Sequence, residues 1–547
     1  MTFLQLARRE MHGSLPRLIF MSGLGGISNA TILAAVNAGA QAAGNGEVSV
    51  WSAGLFVIAL LLFIKTQHYI LIASTVEIEA IIHKVRLRLM DQVRRSELLP
   101  LDEIGRSQIV SAITKETGAL LQAANMLAFA GQGAVLVVFI GMYIAYLSFA
   151  AFLLSVLILG IVAVLFHAKS DQLTKGNKEA GERENRLYDR LTDLLDGFKE
   201  VRMNQARSDD LFDDTVEVSR VATNIKIRTQ SESFRRLVFT QASVYLLLGG
   251  VVFVVPALSD TTGSAVTQTT TALMFVVGVC LGLIQTIPVV SAADTAADNI
   301  ANLEQRLQST IPVLEAANVE PRRTFQRIEM RNVEFRYVAK TSDAVFQVGP
   351  VDFSLRLGDL VFITGGNGSG KSTFLKVLAG LYEPDSGEIT VDGMRVNDRR
   401  RESYRSLITA IFADYHLFQR LYGIRDPDLD EIDRLLEQFK LDTKTSLTNG
   451  EFRTIELSSG QRRRLALIVA LLEKRPILLL DEWAADQDPE FRRKFYHEML
   501  PTLHRNGATI VVVTHDDRYL EEMEYQGRRL RMDEGRFVEG KPVESEA

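Results

Sequence analysis

The stretch that decides the fold of the C-terminal half reads Gly365-Gly366-Asn367-Gly368-Ser369-Gly370-Lys371-Ser372-Thr373. It matches the spacing G-x-x-x-x-G-K-S, in which glycines let backbone N–H groups close around phosphate oxygens. A strand-like apolar run over 360–364 precedes it and a helix-like run over 374–378 follows it. The helix that begins there directs its positive dipole end at the same phosphates. The sequence therefore predicts a phosphate site formed by Gly365, Asn367, Gly368, Ser369, Gly370, Lys371, Ser372 and Thr373.

A second nucleotide element follows further along the chain. Four aliphatic residues, 477–480, precede the adjacent acids Asp481 and Glu482. A continuous apolar run is typical of a strand buried on both faces. Phosphoryl transfer depends on positioning and charge neutralisation. We therefore expect Lys371 to reach the β and γ phosphates and Ser372 and Asp481 to hold Mg²⁺. Glu482 is expected to polarise the attacking water.

The first half of the chain has the composition of a membrane domain. Roughly 20 apolar residues cross the hydrocarbon core as a helix. Six candidate spans lie near 18–42, 50–74, 126–147, 149–167, 236–258 and 271–295. The short connections between them lack Lys and Arg, whereas the long connections 75–125 and 168–235 are rich in both. Because positive residues stay on the cytoplasmic side, both termini and both long connections are predicted to be cytoplasmic.

The two long connections show helical periodicity and are interpreted as membrane helices that continue into the cytoplasm. Short bends are predicted near 100–103 and 205–208, where they could carry force between a soluble domain and the spans. The polar residues inside the spans have two interpretations: they mark a substrate pathway, or they bond neighbouring helices. They are Asn29, Asn37, Gln132, Gln241 and Gln285.

Composition excludes several classes of function. The formal net charge of −6 over 547 residues gives no general basic field, so nucleic acid is not an expected partner. The single cysteine, Cys280, cannot form an intrachain disulfide.

The apolar runs end before a stretch with Pro312 and Pro321. We therefore predict a membrane domain over 1–304, a linker over 305–325 and a soluble nucleotide domain over 326–547.

The segment Leu457-Ser458-Ser459-Gly460-Gln461 resembles the signature of ATP-binding cassette (ABC) proteins, with Ser459 where the family usually has Gly. The resemblance implies that ATP is the nucleotide and that His515 acts as the switch histidine beside the catalytic Glu482 and Lys371. It implies a departure at Asp414, which stands near the position of the family's Q-loop glutamine and is expected to bind Mg²⁺. The further ATP contacts that it implies are Tyr337, Ser458, Gly460, Gln461 and Asp488.

The whole chain resembles an ABC exporter half-transporter. This implies an all-α domain of six membrane helices followed by an α/β P-loop domain, working as a homodimer in which each signature caps the partner's ATP. Three stretches, 365–373, 411–418 and 481–489, are similar to the cyclic-peptide and siderophore exporter subfamily, the last through Trp483 in place of the common Pro. The resemblance implies a peptide or siderophore-like substrate and a bacterial inner membrane. Lipid or drug export, or a membrane-anchored ATPase that regulates a partner without transport, remain alternatives.

Overall fold

The chain forms two compact units. The computed structural model describes residues 2–10, 15–167, 170–258, 263–311, 322–338, 345–522 and 527–538. The first unit comprises Met1–Arg95 and Ile104–Ser309, and the second comprises Ser96–Glu103 and Thr310–Ala547. The short segment Ser96–Glu103 therefore belongs with the second unit, although helices of the first unit flank it in the chain. Of the predicted linker, residues 312–321 lie outside the described part.

The regular structure of the N-terminal part, among its described residues, consists of helices. Its helices are α1 Phe3–Glu10, α2 Leu15–Gly44, α3 Val50–Arg95, α4 Leu98–Ile104, α5 Arg106–Ser111, α6 Thr117–Leu147, α7 Phe149–His167, α8 Ser170–Asp196, α9 Phe198–Met203, α10 Gln205–Gly249, α11 Val255–Leu258 and α12 Gly263–Thr310. Helix α3 continues well beyond the apolar run because Ile81, Val85 and Leu89 recur at helical spacing and are all buried.

Among the described residues, five helical stretches are long and apolar enough to cross a membrane. They are Pro16–Gly44, Val50–Arg95, Gln108–Leu147, Gln205–Ala257 and Ala265–Thr310. Each contains one of the predicted spans. The remaining span, over 149–167, lies in α7 Phe149–His167, whose described side chains form an apolar stretch over Phe149–Ile161. Its membrane crossing stays a prediction.

Short helices stand at or near the two predicted bends. Helix α4 contains the first bend at 100–103. The second bend is displaced from the predicted 205–208 and is formed by α9, between Gly197 and Asn204. The side chain of Asn204 accepts a hydrogen bond of 3.2 Å from the Arg207 N–H. Because Asn is a favourable N-cap, residues 205–208 become the first turn of α10.

One amide inside the membrane helices bonds its neighbours. Asn37 Nδ2 on α2 donates to the Tyr143 hydroxyl on α6 and to the Gln268 carbonyl on α12, both at 3.4 Å. Asn37 therefore bonds neighbouring helices, which is the second of the two interpretations given above for polar residues in the spans.

The second unit combines strands and helices. Its elements are β1 Arg327–Val338, β2 Val345–Arg356, β3 Leu360–Thr364, α13 Lys371–Leu378, β4 Ser386–Val391, β5 Met394–Arg395, α14 Asp398–Arg405, β6 Ile408–Ile411, α15 Leu429–Gln438, β7 Leu447–Thr448, β8 Glu451–Phe452, α16 Ser459–Leu472, β9 Ile477–Asp481, α17 Pro489–Lys494, α18 Leu500–Arg505, β10 Thr509–Val513, α19 Asp517–Glu522, β11 Arg528–Asp533 and β12 Arg536–Val538.

The main sheet of this unit has the strand order β12-β11-β3-β10-β9-β6, with β11, β3, β10, β9 and β6 parallel. A smaller antiparallel sheet has the order β2-β1-β4-β5. Successive side chains of β9 enter two different cores: Leu478 and Leu480 pack on one face, Ile477 and Leu479 on the other. Burial on both faces explains why these strands read as continuous apolar runs rather than as an alternating pattern.

Candidate functional site

Three neighbouring strands bring the predicted nucleotide residues to one edge of the main sheet. Strand β10 pairs in parallel with both β3 and β9, so their carboxyl ends meet. Open α/β sheets bind ligands outside the carboxyl ends of their strands. The phosphate loop follows β3, Glu482 follows β9, and His515 follows β10. The strand order therefore brings together three elements that are far apart in the sequence.

Backbone angles and close contacts favour glycine at two positions of the phosphate loop. Gly365 has φ of 148°, and a Cβ there would lie 2.1 Å from the carbonyl oxygen of Met532. Gly370 has φ of 100°, and a Cβ there would lie 3.0 Å from a Val348 methyl group. Glycine adopts positive φ without steric cost. The loop thus packs tightly on β2 and β11 while its outer side stays open.

The Lys371 side chain is held inside this loop. It is 5 % exposed, and its Nζ donates to the carbonyls of Gly365 at 3.0 Å and Gly366 at 2.8 Å. Burial lowers the pKa of the Lys371 ammonium, and the nearby carboxylates of Glu482 and Asp481 oppose that shift. The loop therefore presents a cation at the place where the sequence predicts phosphate.

Asp481 carries an unsatisfied oxygen next to the first turn of α13. Its side chain is 1 % exposed, and among the described residues Oδ1 has no hydrogen-bond partner. Burial raises the pKa of the Asp481 carboxyl, while hydrogen bonds from the Ser372 hydroxyl and the Ala413 N–H lower it in part. Carboxylate, hydroxyl and water oxygens are the ligands that Mg²⁺ prefers. The donor set thus fits a bound Mg²⁺.

Asp414, the other predicted metal ligand, is exposed, whereas Asp481 is buried. The Asp414 carboxylate is well exposed, and its Oδ2 lies 4.0 Å from Lys376 Nζ. The contact from this loop to Asp481 is made by the backbone of Ala413, one residue earlier.

Glu482 and His515 meet directly. His515 Nε2 lies 3.0 Å from Glu482 Oε1. Glu482 adopts left-handed backbone angles, with φ of 49°. Such a conformation costs about 1–3 kcal/mol for a residue other than glycine and persists only when neighbours hold it. Its N–H donates to the Val513 carbonyl at 3.0 Å, and its own carbonyl accepts from the Ala485 N–H at 3.1 Å and from the Arg463 guanidinium.

The signature segment caps a helix and packs on the loop after β9. The Ser458 hydroxyl accepts from the Gln461 N–H at 3.4 Å, and the Gln461 side chain accepts from the Ser458 N–H at 3.2 Å. The Gly460 carbonyl accepts from Gln487 Nε2 at 3.1 Å. A Cβ on Gly460 would lie 2.7 Å from the Asp486 carbonyl oxygen, so glycine is required for this close approach.

Asp488 is the N-cap of α17. Its carboxylate accepts from the Phe491 N–H at 2.9 Å and pairs with Arg464 Nη2 at 2.5 Å. The Phe491 bond foremost, and then Arg464, hold the pKa of Asp488 below its ordinary value. Arg464 Nε also donates to Gln487 Oε1 at 2.8 Å. Within its own chain, Asp488 thus binds the signature helix.

Tyr337 pairs across β1 and β2 with a residue that contacts the phosphate loop. In the β1–β2 register Tyr337 faces Phe346, whose ring touches the Cβ position of Gly370. Tyr337 is 40 % exposed and so presents a free aromatic surface. A pocket of about 380 Å³ opens at the loop and is lined by Phe346, Gln347, Gly366, Asn367, Gly368, Ser369, Asp533 and Glu534. Asp533 and Glu534 were not predicted from sequence, since the β11–β12 turn carries no motif.

Comparison with known proteins agrees with this geometry. Residues 348–485 match the family model described as ABC transporter. The ATP-binding protein SyrD of Pseudomonas syringae pv. syringae is 31 % identical over 545 residues, covering 94 % of this chain and 93 % of that protein. The chain belongs to the ABC transporter family. This ABC transporter is also 26 % identical over 459 residues to an ATP-dependent lipid A-core flippase of Pseudomonas putida, covering 79 % of this chain and 72 % of that protein.

The fold has a solved counterpart. The structure of a bacterial Atm1-family ABC exporter with ATP bound superposes with a TM-score of 0.77 at 17 % identity, covering 96 % of this chain and 95 % of that one. The predicted fold class, a helical transmembrane domain followed by an α/β nucleotide-binding domain, is confirmed. This ABC transporter is a multi-pass membrane protein of the half-transporter type that binds ATP and couples its hydrolysis to transport.

Proposed function

We propose that this ABC transporter is a homodimeric exporter of a peptide or siderophore-like substrate across a bacterial inner membrane, with both termini cytoplasmic. The observation that carries the export mechanism is the position of Ser96–Glu103. This segment joins the long helix α3 to α5 along the chain, yet it packs within the nucleotide-binding unit. A change in that unit is thereby passed to two helices of the membrane domain.

The segment Ser96–Glu103 packs within the nucleotide-binding unit through a charged side chain and two leucines. Glu97 bonds to Arg405, and its Oε1 lies 3.6 Å from Arg401 Nη1. Leu98 and Leu99 pack against the core formed by β1, β2 and α13. Arg401 is 7 % exposed. Its electrostatic attraction to Glu97 is therefore screened less by water than the attraction within a surface ion pair.

We assign the residues at the sheet edge to the hydrolysis of ATP. Tyr337 stacks on adenine, the phosphate loop from Gly365 to Thr373 surrounds the phosphates, and Lys371 supplies positive charge. Ser372 and Asp481 would hold Mg²⁺, which neutralises charge on the β and γ phosphates when it is bound. Asp414, one residue after the Ala413 N–H that bonds Asp481, is the further candidate ligand for this ion.

Glu482 orients and polarises the attacking water, and His515 holds its carboxylate by the 3.0 Å contact. The fixed backbone of Glu482 supports this role, since a general base must be held within hydrogen-bond reach of its water.

The signature segment supports the proposed homodimer. In one chain Ser458, Gly460 and Gln461 form the N-terminus of α16, whose Gly460 packs on the Asp486–Gln487 turn. Asp488 likewise bonds Arg464 of its own chain. The exposed N-terminal end of α16 remains available to an anion, as helix N-termini are. The partner's ATP is the anion that the family resemblance implies.

Peptide cargo rests on the three stretches at 365–373, 411–418 and 481–489. Lipid is the second candidate, because a relative matching most of the chain is named a lipid A-core flippase. Sealed inside-out vesicles with the purified protein separate the two. ATP-dependent accumulation of labelled cyclic peptides or peptide siderophores supports the proposal. Movement of a labelled lipid between leaflets without peptide uptake favours the second candidate.

Glu97→Ala is expected to separate hydrolysis from transport. The variant keeps the ATP site but loses the charged contact with Arg401 and Arg405, so we expect near-normal ATPase and roughly tenfold lower uptake in the same vesicles. Glu437→Ala on the exposed face of α15 is the matched control. A protein that hydrolyses ATP yet moves no substrate in either form would instead be a membrane-anchored ATPase. Normal uptake by Glu97→Ala would contradict the coupling role.

Asp481→Asn is expected to remove the Mg²⁺-dependent part of ATP binding. ATP should raise the unfolding temperature of this variant equally with Mg²⁺ and with EDTA, whereas wild type gains more with Mg²⁺. Burial raises the pKa of Asp481, so protons compete with the cation. The Mg²⁺-dependent gain of wild type should therefore shrink as the pH falls toward that raised pKa. A full Mg²⁺ effect in Asp481→Asn would exclude Asp481 as a ligand.

A further inference from the structure

A single arginine links the signature helix to the backbone of the catalytic glutamate. The Arg463 guanidinium donates to the Glu482 carbonyl, and its Nε lies 2.9 Å from Asp486 Oδ2. In the reverse direction, Trp483 Nε1 donates to the Arg463 carbonyl at 2.8 Å. Arg463 is thus held at its main chain and at its side chain by the residues that follow Glu482.

We propose that Arg463 is a positioning residue for ATP hydrolysis, which keeps the Glu482 carboxylate in place by fixing the backbone that carries it. The left-handed conformation of Glu482 needs support from outside the residue. The N–H of Glu482 is held by β10, but its carbonyl faces away from the strand toward α16. Arg463 provides the charged donor on that side.

The surroundings make this bond stronger than an exposed one. The Arg463 side chain is 11 % exposed, and the Trp483 ring beside it is 1 % exposed. Arg's planar fork serves the carbonyl and the Asp486 carboxylate together with less loss of side-chain freedom than the flexible ammonium of Lys. Arg463 also lies on the helix whose first residues cap ATP in the partner subunit, under the function proposed above. Arg463 therefore connects the base of one ATP site to the signature that completes the other.

The test compares steady-state ATPase of purified full-length protein. Arg463→Gln is expected to lower kcat by roughly 10- to 100-fold with KM for ATP unchanged, since a misplacement of about 1 Å at a catalytic group has an effect of that size. Arg463→Lys should recover part of the loss. Asp486→Ala, which leaves the carbonyl bond intact, should lose less than Arg463→Gln. Arg434→Gln on exposed α15 is the control for the same chemical change.

A double variant distinguishes positioning from a general loss of structure. If Arg463 acts through Glu482, adding Arg463→Gln to Glu482→Gln should cause no further loss in single-turnover hydrolysis. An equal loss in both backgrounds, a wild-type kcat for Arg463→Gln, or a change confined to KM would overturn the proposal. The proposed function is tested separately by wild type and Glu482→Gln, so its failure would be recognised before Arg463 is judged.

Discussion

Glu482→Gln is expected to bind ATP as tightly as wild type and to hydrolyse it about 100- to 10,000-fold more slowly, the range over which a general base contributes. The amide keeps the size of the side chain and a hydrogen bond to His515, but it cannot accept a proton from water. Lys371, Ser372 and Asp481 are untouched, so the affinity for ATP is retained. Steady-state ATPase and equilibrium binding of a fluorescent ATP analogue measure the two effects.

The control for this variant is Glu490→Gln, an exposed carboxylate on α17 paired with Lys440. It should have wild-type kcat. Near-normal turnover by Glu482→Gln would show that another group orients the water. A parallel loss of ATP binding would show that the substitution disturbs the loop rather than the chemical step. His515→Ala should reproduce part of the kcat loss, because Glu482 then loses the contact that holds its carboxylate.

The nucleotide-binding fold could be predicted from sequence because its signals are local. Gly365 and Gly370 are required by backbone angles and close contacts that a motif records directly. The buried strands β9 and β10 appear as apolar runs because both of their faces lie in a core. The contact between Glu482 and His515 was not predicted, since it depends on β9 and β10 being neighbours in the sheet.

The contacts that could not be predicted from sequence join side chains that are distant in the chain. Arg463 and Arg464 bond to residues within 482–488. The rest of α16 and the whole of β9 lie between these two segments in the chain. A signal existed in the residue types: three consecutive arginines stand at 462–464, and acids stand at 486 and 488. No local pattern marks the docking of Ser96–Glu103, because Glu97 meets its arginine partners only once the chain has folded. The displaced second bend reflects Asn204, whose capping role competes with a turn.

Because each ATP site is proposed to use residues of both chains, two mixed dimers that carry the same two substitutions should differ greatly in ATPase activity. The difference depends on whether the substitutions lie on separate chains or on one chain. Ser458→Arg places a bulky cation where the N-terminus of α16 would meet the partner's phosphates. Glu482→Gln disables the base of its own chain. With one substitution on each chain, both defects fall on the same ATP site and the other site stays intact. With both substitutions on one chain, each site carries one defect.

We expect the first dimer to keep substantial ATPase and the second to fall by roughly 100-fold, the minimum effect of losing a general base at one site and a comparable loss at the other. Chains with different affinity tags, purified in sequence, give both dimers for the same assay. Ser458→Thr keeps the capping hydroxyl and is the matched control. Higher activity of the second dimer than of the first would mean that a chain completes its own site, because placing both substitutions on one chain would then leave the other chain's site intact. The signature helix would then act on the phosphate loop of its own subunit.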